Sequence, residues 1–409
     1  MGAGGTRILF LSGSVGLGHA TRDVAIAREI RRLLPEAVIE WIAASPAKEY
    51  LAAEGEQLLP ESERFADVTT VADSQTHESA FNVGLFALSV RGQWEENAHL
   101  YAELVGGGAY DLAIGDETYE VTIALKQRPE LRRTPFVSLY DFIGIDRMGH
   151  DPREALAVFM FNRIWARPPQ GYTPVFLGEL ADVPDRPFGP FMPNRRAFVA
   201  EHYHVAGYVL QFDPAEYRDR GALRRRLGYG DSPLIVATVG GTGQGSALVD
   251  LCVRAFSRVR DAVPGAEMLL VGGPRVDAAG RPLPDGVSAR GFVPRLYEHL
   301  AACDLAVTQA GGTTTLELTA LGRPFIYFPI EGHCEQMGPV SDRLRRHGAG
   351  VRMSYRDTTP AQLADRIVEG LASVPAVPNV PFDGARRVAE IAVEALRAAR
   401  SGAAATAPA

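Results

Sequence analysis

Short runs of apolar residues recur along the first half of the chain, and stretches with helical periodicity separate them. Between residues 20 and 34, for example, Ile26, Ile30 and Leu33 fall on one face at helical spacing. Uninterrupted apolar runs that alternate with helices are typical of a parallel sheet covered by helices on both faces. The pattern predicts strands at residues 8–11, 38–43, 112–114, 136–139 and 175–177.

The same pattern begins again in the second half, with strands predicted at residues 234–239, 268–271, 287–293, 305–307 and 325–328. We therefore predict an α/β fold of two Rossmann-like, doubly wound domains that face a central cleft, with ligands at the carboxyl ends of the strands. The predicted layout is a first domain (1–207), a linker (208–215), a second domain (216–383), a helix that crosses back to the first domain (384–400) and a disordered tail (401–409).

Composition narrows the class of protein. The 409 residues suit two domains, and 46% hydrophobic with 22% charged residues is ordinary globular composition. A net charge of −7 argues against a nucleic-acid partner. The three scattered cysteines form neither a disulfide framework nor a zinc pattern. Without a membrane-length apolar run or a signal-peptide layout at the start, the sequence predicts a soluble cytoplasmic protein with no metal site.

The strongest chemical signal lies within residues 291–336. After a predicted strand, Gly311 and Gly312 allow a tight turn and a close approach of the backbone to a ligand. We expect Thr313 and Thr314 to cap the next helix, whose N–H groups and positive end suit a diphosphate. The alternative interpretation is an ordinary strand-to-helix turn.

Three acidic or amide side chains follow this turn. Glu317, one helical turn further on, could accept two hydrogen bonds from a ribose diol. Glu335 and Gln336 follow the next strand, where they could meet the hydroxyls of a sugar. Glu317 could instead be a solvated helix residue, but the complete spaced set favours a binding site.

A second signal is the glycine-rich turn at residues 13–18, between the first strand and the first helix. His19 follows it, and imidazole is the side chain best suited to take a proton from a hydroxyl near neutral pH. Asp116, at the end of a strand, is the leading partner for His19, and Glu117 and Asp141 compete for that role. Alternatively, His19 caps the helix or binds phosphate, and Asp116 is structural.

Together the two signals resemble the GT-B glycosyltransferases, particularly families 1 and 28, in which the amino-terminal domain binds the acceptor and the other binds the nucleotide-sugar donor. The likeness covers residues 291–336 and the first glycine loop, and the region between only as fold. It implies that Phe292 and Val293 border the base. The donor-binding residues it implies are Gly241, Thr242, Phe292, Val293, Gln309, Gly311, Gly312, Thr313, Thr314, Glu317, Glu335 and Gln336; the catalytic residues are His19 and Asp116, and the acceptor-side residues are Gly18, Glu117 and Asp141.

Two positions depart from the plant-type family 1 signature. Gln309 stands where that signature has a histidine that contacts the diphosphate, and Phe292 stands where it has a tryptophan that stacks on the base. A relative of family 28, or another bacterial enzyme, therefore fits better.

The expected activity is transfer of a sugar from a UDP- or dTDP-sugar to a hydroxyl, with inversion, with His19 as the base and with neither metal nor further cofactor. Natural-product decoration and cell-envelope synthesis both fit, and the protein could be a monomer or a homodimer. The alternatives are a nucleotide-sugar 2-epimerase, a nicotinamide-dependent oxidoreductase or a non-catalytic sensor. We interpret the apolar residues 155–165 as a core helix; an acceptor wall, or a membrane patch for a lipid-linked acceptor, is the alternative.

Overall fold

The structure is a computed structural model that describes residues 5–12, 17–66, 89–240, 245–273, 282–373 and 380–405. It divides into two compact units. The first contains the described residues up to Gln211 together with the segment that begins at Pro381, and the second contains the described residues within Phe212–Val380. The chain passes from the first unit to the second within the predicted linker, residues 208–215.

The first unit is a parallel sheet between two layers of helices, as predicted. Its strands are β1 (Arg7–Leu11), β2 (Val38–Ile42), β3 (Gln57–Leu58), β4 (Leu112–Asp116), β5 (Phe136–Tyr140), β6 (Thr173–Phe176) and β7 (His204–Val205). The helices before residue 212 are α1 (Leu17–Leu33), α2 (Ala47–Ala53), α3 (Arg91–Gly106), α4 (Tyr119–Gln127), α5 (Pro152–Trp165) and α6 (Arg195–His202). The strand order is β3-β2-β1-β4-β5-β6-β7, and neighbouring strands are parallel.

Alternation along the buried strands assigns each helix layer to a face of this sheet. Ile8 and Phe10 of β1 pack with α1 and α2 on one face. Leu9 and Leu11 pack with α3 and α4 on the other face. Successive strand side chains point to opposite faces, so a strand buried on both sides must be apolar throughout.

The second unit repeats this architecture with a six-stranded parallel sheet. Its strands are β8 (Leu234–Thr238), β9 (Glu267–Val271), β10 (Val287–Arg290), β11 (Leu305–Gln309), β12 (Phe325–Phe328) and β13 (Val351–Arg352), in the order β10-β9-β8-β11-β12-β13. Its helices are α7 (Arg220–Leu227), α8 (Ser246–Ala262), α9 (Leu296–Ala302), α10 (Gly312–Ala320), α11 (Ser341–Arg346) and α12 (Pro360–Leu371). Strand β10 ends at Arg290, earlier than the predicted residue 293.

The last helix, α13 (Gly384–Ala405), returns to the first unit and packs against α1. Its apolar face enters the core beside β1 and comprises Val388, Ala389, Ala392 and Leu396. The helix extends beyond the predicted end at residue 400, because its last residues are alanines, the strongest helix formers. The rest of the predicted tail, residues 406–409, lies outside the described residues.

Helix α5 corrects the interpretation of residues 155–165 as a core helix. Ala157, Asn162 and Trp165 are buried, but Leu156 is 63% exposed and Ile164 is 65% exposed. Phe159 and Met160 are also exposed, so the helix presents an apolar face to solvent. The sequence misleads here because the segment is apolar on both sides, while only one side contacts the unit.

None of the helices among the described residues is both long enough and apolar enough to span a membrane.

Candidate active site

In each unit the strand order reverses at one point, and several of the predicted site residues lie there. In the first unit β1 lies between β2 and β4, and in the second β8 lies between β9 and β11. At such a point the connections diverge to opposite faces of the sheet and leave a crevice at the carboxyl ends of the strands. His19 and Asp116 follow or end β1 and β4, and Gly240 and Gln309 follow or end β8 and β11.

His19 lies in the first turn of α1, and its Nδ1 is 2.9 Å from Oδ2 of Asp116. The imidazole is 14% exposed, whereas the Asp116 side chain is fully buried. Nδ1 also lies 2.8 Å from Nη2 of Arg22, which can only donate, so the two neighbours of Nδ1 favour different tautomers. The tautomer in which Nδ1–H donates to Asp116 is the one that leaves Nε2 unprotonated and able to accept a proton. Of the three acids considered, Asp116 is therefore the one that the structure pairs with His19.

Arg22, one turn after His19, was not identified from the sequence. Its Nε donates to Asp116 Oδ2 at 2.7 Å, and its Nη2 donates to Asp116 Oδ1 at 2.6 Å. Its Nη1 donates to Asp141, so one guanidinium joins the ends of β4 and β5. The sequence did contain a signal: Arg22 stands four residues before Ile26, on the apolar face of the predicted helix. A cation on such a face becomes buried, and buried cations in proteins are normally paired.

The guanidinium sets the charge state of these carboxyls. Burial raises the pKa of Asp116, but Arg22 and the hydrogen bonds from His19 and Arg22 outweigh it and lower the pKa to about 2. The pKa of Asp141 is lowered for the same reason, again against the effect of burial. Both side chains are thus carboxylates at neutral pH, and Asp116 can stabilise a protonated His19.

Asp23 is close to Asp116, but its pKa is shifted in the opposite direction. It is fully buried, and Ser12 Oγ donates to its Oδ2 at 2.7 Å. Burial and the neighbouring Asp116 raise the pKa of Asp23 well above its ordinary value. Both effects favour the protonated form of Asp23, and the recorded hydrogen bonds of Arg22 go to Asp116 and Asp141.

The three predicted acceptor-side residues surround the same strand ends. Gly18 lies in the first turn of α1, and Asp141, which is partly exposed, follows β5. Glu117 directly follows β4 and has a left-handed backbone, with a φ of 52°.

The donor-side residues begin where β11 meets α10. Gly311 is the N-cap residue of α10, and it has no side chain that could cap the helix. Thr313 and Thr314 lie inside the first turn, so the expectation that they cap the helix is wrong. Because the first N–H groups of a helix have no carbonyl partner within it, the start of α10 remains suited to an anion.

Gln309, a predicted donor contact, forms two hydrogen bonds within the second unit. Its side chain is buried, and its Oε1 accepts a hydrogen bond from the Gly240 N–H at 3.2 Å. Its Nε2 donates to the Tyr355 hydroxyl at 3.3 Å. These contacts hold the loop after β8 against β11, so Gln309 positions the backbone at the strand reversal.

The remaining donor-side residues are unequally placed. Phe292 is exposed, whereas the Val293 side chain is buried in the core, so only the backbone of Val293 could border a base. Glu317 is nearly buried, one turn into α10. Glu335 is partly exposed, and its Oε1 lies 3.3 Å from the point that a Cβ at Gly312 would occupy.

Gln336, a predicted sugar contact, also has a partner in its own unit. Its side chain is largely buried, and its Oε1 accepts a hydrogen bond from the Ile330 N–H at 2.9 Å. The amide therefore supports the loop after β12. Gly241 and Thr242 lie outside the described residues.

A cation near α10 was also missed. Arg343, on α11, donates to the Gly312 carbonyl at 2.8 Å and to Thr315 Oγ1 at 3.2 Å. It adds a positive charge beside the positive end of α10. Its position 31 residues after Gly312 gives no local sequence signal.

Comparison with known proteins relates this chain to glycosyltransferases. Residues 235–377 match the family model of the glycosyltransferase family 28 C-terminal domain. Over 241 residues the chain is 31% identical to the UDP-N-acetylglucosamine–N-acetylmuramyl-(pentapeptide) pyrophosphoryl-undecaprenol N-acetylglucosamine transferase of Sorangium cellulosum. That alignment covers 54% of this chain and 56% of the relative, so the chain spans about half the length of that enzyme.

Solved structures show the fold of the whole chain. CalG4, the calicheamicin glycosyltransferase, superposes with a TM-score of 0.57 at 17% identity, covering 99% of this chain and 100% of CalG4. MurG of Acinetobacter baumannii superposes with a TM-score of 0.53 at 14% identity, covering 95% and 99% of the two chains. The protein thus has the GT-B fold of CalG4 and MurG, and part of its sequence is similar to that of the Sorangium transferase, which confirms the predicted fold and resemblance.

Replacement of Arg22 by Met tests its structural role, because it leaves Asp116 and Asp141 without their shared cation. We expect the free energy of unfolding of the first unit to fall by about 3–5 kcal/mol at pH 7. The three tryptophans, Trp41, Trp94 and Trp165, all belong to this unit, so tryptophan fluorescence during urea unfolding reports its stability.

The pH dependence has a defined sign. The folded pKa of Asp116, about 2, is below the ordinary 3.8, so its ion-pair stabilisation is present above pH 3.8 and is lost as the pH falls towards 2. We expect Arg22→Met to lose less stability than the wild type over that interval. Arg28→Met is the matched control, because Arg28 on the same helix is half exposed and pairs with Glu54, an interaction worth about 0–1 kcal/mol. If Arg22→Met and Arg28→Met lower the free energy of unfolding equally, Arg22 does not have the stabilising role assigned to it.

Proposed function

We propose that this protein, with its GT-B fold and family 28 carboxyl-terminal domain, transfers a sugar from a nucleotide diphosphate donor to a hydroxyl with inversion. The observation that carries the proposal is the His19–Asp116 pair, a base and its carboxylate partner at the strand reversal of the first unit. The uncapped start of α10, with Arg343 beside it, supports the donor half of the proposal.

The donor would bind with its diphosphate at the start of α10. The backbone N–H groups of residues 312–314 and the helix dipole favour a negative charge there, and Arg343 adds to the favourable potential. Glu317 would accept hydrogen bonds from the ribose, and Glu335 would meet the donor sugar. A UDP- or dTDP-sugar satisfies these requirements, and the contacts do not depend on a metal.

The chemical step is a displacement at the anomeric carbon of the donor sugar. As the acceptor oxygen forms its bond to this carbon, its proton passes to Nε2 of His19. The bond between the carbon and the diphosphate oxygen breaks, and its electron pair leaves with the nucleoside diphosphate. Attack opposite the leaving group inverts the configuration. Asp116 stabilises the imidazolium, while the α10 end stabilises the diphosphate charge.

The apolar face of α5 supports an acceptor at a membrane surface. This face, made of Leu156, Phe159, Met160 and Ile164, is flanked by exposed arginines on and after the helix, Arg153, Arg163 and Arg167. Apolar side chains with a basic border are suited to a bilayer that contains anionic lipids. A lipid-linked acceptor, such as the undecaprenol compound in the name of the Sorangium relative, fits this arrangement.

For the base, we expect His19→Ala to lower kcat about 100-fold or more, with UDP affinity nearly unchanged, because a positioned base contributes about 10²- to 10⁴-fold. The measurement is the release of the nucleoside diphosphate with saturating donor and acceptor. His204→Ala, an exposed histidine of the same unit, is the control and should retain wild-type turnover. Near-normal turnover of His19→Ala would exclude it as the base.

For the donor site, we expect Glu317→Ala to weaken UDP binding about 10- to 100-fold, since it removes hydrogen bonds from the ribose to a charged group. Isothermal titration calorimetry measures this directly. Glu369→Ala, which removes an exposed carboxylate of α12, should bind UDP like the wild type. Unchanged affinity in Glu317→Ala, or UDP located away from residues 311–314 in a crystal, would contradict the donor site.

For the membrane surface, we expect wild-type protein to co-sediment with vesicles that contain phosphatidylglycerol. The double variant Leu156→Ser/Ile164→Ser should bind about tenfold more weakly, because two exposed apolar side chains no longer enter the bilayer. Leu33→Ser/Val38→Ser removes two comparably apolar exposed side chains elsewhere in the unit and serves as the control. Equal vesicle binding by both double variants would refute a lipid contact at α5.

A further inference from the structure

Glu117 has a backbone conformation that residues with a side chain rarely adopt. Its φ of 52° lies in the left-handed region, where a Cβ crowds the carbonyl oxygen that follows. Two backbone hydrogen bonds hold it there: its N–H donates to the Leu139 carbonyl at 3.0 Å, and its carbonyl accepts from the Tyr119 N–H at 3.1 Å. Strain of this kind persists only where surrounding contacts determine it, and it is concentrated at functional sites.

The side chain of Glu117 has one buried oxygen without a partner. Among the described residues, Oε1 of Glu117 and the hydroxyl of Tyr119 are both buried without a hydrogen bond. A buried neutral carbonyl oxygen without a partner is tolerable, whereas a buried unpaired carboxylate oxygen is far more costly. The geometry therefore favours the protonated form of Glu117.

The charges around Glu117 lead to the same conclusion. The groups that face it are Arg22 on α1, Asp116 on β4, Tyr119 on α4 and Asp141 after β5. Arg22 is the cation among them, and its guanidinium is already committed to Asp116 and Asp141. The carboxyl of Glu117 is next to that of Asp141, because the two residues follow the paired strands β4 and β5. Two adjacent carboxyls with little access to water resist double ionisation, and Asp141 has the cation.

We propose that Glu117 is a positioning residue for His19: it remains a neutral carboxylic acid, donates its proton in a hydrogen bond to Asp141, and so fixes the chain Asp141–Arg22–Asp116 beneath the imidazole. This inference rests on the proposed function of His19. It assigns Glu117 a role through Asp141, where the sequence suggested a direct contact with the acceptor.

The arrangement makes the base sensitive to alkaline pH. Burial and the charge of Asp141 raise the pKa of Glu117 well above its ordinary 4.5. Once Glu117 ionises, it competes with Asp116 for Arg22, and the hydrogen bond from His19 Nδ1 to Asp116 loses its alignment. Activity is therefore retained while Glu117 is protonated and falls as the pH rises through its folded pKa.

The test compares wild type, Glu117→Gln and Glu117→Ala. Glutamine imitates the neutral acid: its N–H can donate to Asp141, and its carbonyl can occupy the position of Oε1. The first readout needs no substrate: imidazole ¹⁵N shifts, with the His19 signal identified by its loss in His19→Ala. We expect the Nδ1–H tautomer of His19 to be lost at alkaline pH in the wild type, to persist in Glu117→Gln and to be lost throughout in Glu117→Ala.

The second readout is the pH profile of kcat. We expect wild-type turnover to fall about tenfold per pH unit on its alkaline side, as for loss of one proton, and this fall to be absent in Glu117→Gln. Glu120→Gln is the matched control. Glu120 is also buried, and burial raises its pKa to about 7, but it lies on α4 beside Asn97, away from His19. It should keep both wild-type profiles.

The outcomes separate this inference from the proposed function. If the tautomer behaves as expected but no transfer occurs, Glu117 is a neutral positioning acid and the proposed activity is wrong. If Glu117→Gln loses the His19 tautomer as completely as Glu117→Ala, the carboxylate is required and the inference is overturned. It is equally overturned if the wild type and Glu117→Gln show the same alkaline loss.

Discussion

The ion pairs that Arg22 forms with Asp116 and Asp141 are the constraint on which the candidate site of the first unit depends. Parallel strands bring their carboxyl ends to one edge, and here the acids that follow β4 and β5 meet at that edge beneath α1. Without a buried cation these charges would repel one another. With it, Asp116 remains a carboxylate and is aimed at His19. A single guanidinium thus converts an unfavourable cluster of acids into a supported base.

In the second unit, no charged side chain holds the described residues at the strand reversal in the way that Arg22 does in the first. There the neutral amide of Gln309 joins Gly240 to Tyr355, and the start of α10 is left without a side-chain cap. The electrostatics of the two units are therefore opposite in sign. In the first unit the carboxylate of Asp116 lies beside the imidazole of His19, whereas in the second N–H groups with Arg343 favour an anion. In the proposed function, the first environment suits proton abstraction and the second suits a diphosphate.

Local patterns predicted the parts of the structure that depend on periodicity and on chain order. The buried strands, the helices between them and the turn at Gly311 each leave a signature within a few residues. The pairing of His19 with Asp116 was also predictable, because both follow strands that had to be central in the sheet. Arg22 and Arg343 were missed, since their partners are 94 and 31 residues distant. The exposed face of α5 was misread, because composition does not reveal which side of a segment the rest of the fold covers.

The sequence by itself determined two doubly wound sheets, because apolar runs buried on both faces and the glycine turns after them allow little else. It also determined which residue types stand at the carboxyl ends of the strands. The tertiary structure decided which partner each of them contacts. Asp116 contacts both His19 and Arg22, and Asp141 accepts a hydrogen bond from the remaining guanidinium nitrogen of Arg22. Glu117 is next to Asp141, whose charge raises the pKa of the Glu117 carboxyl. Charge states in a buried cluster depend on distances between elements that are far apart in the chain, and these distances exist only after the sheet has formed.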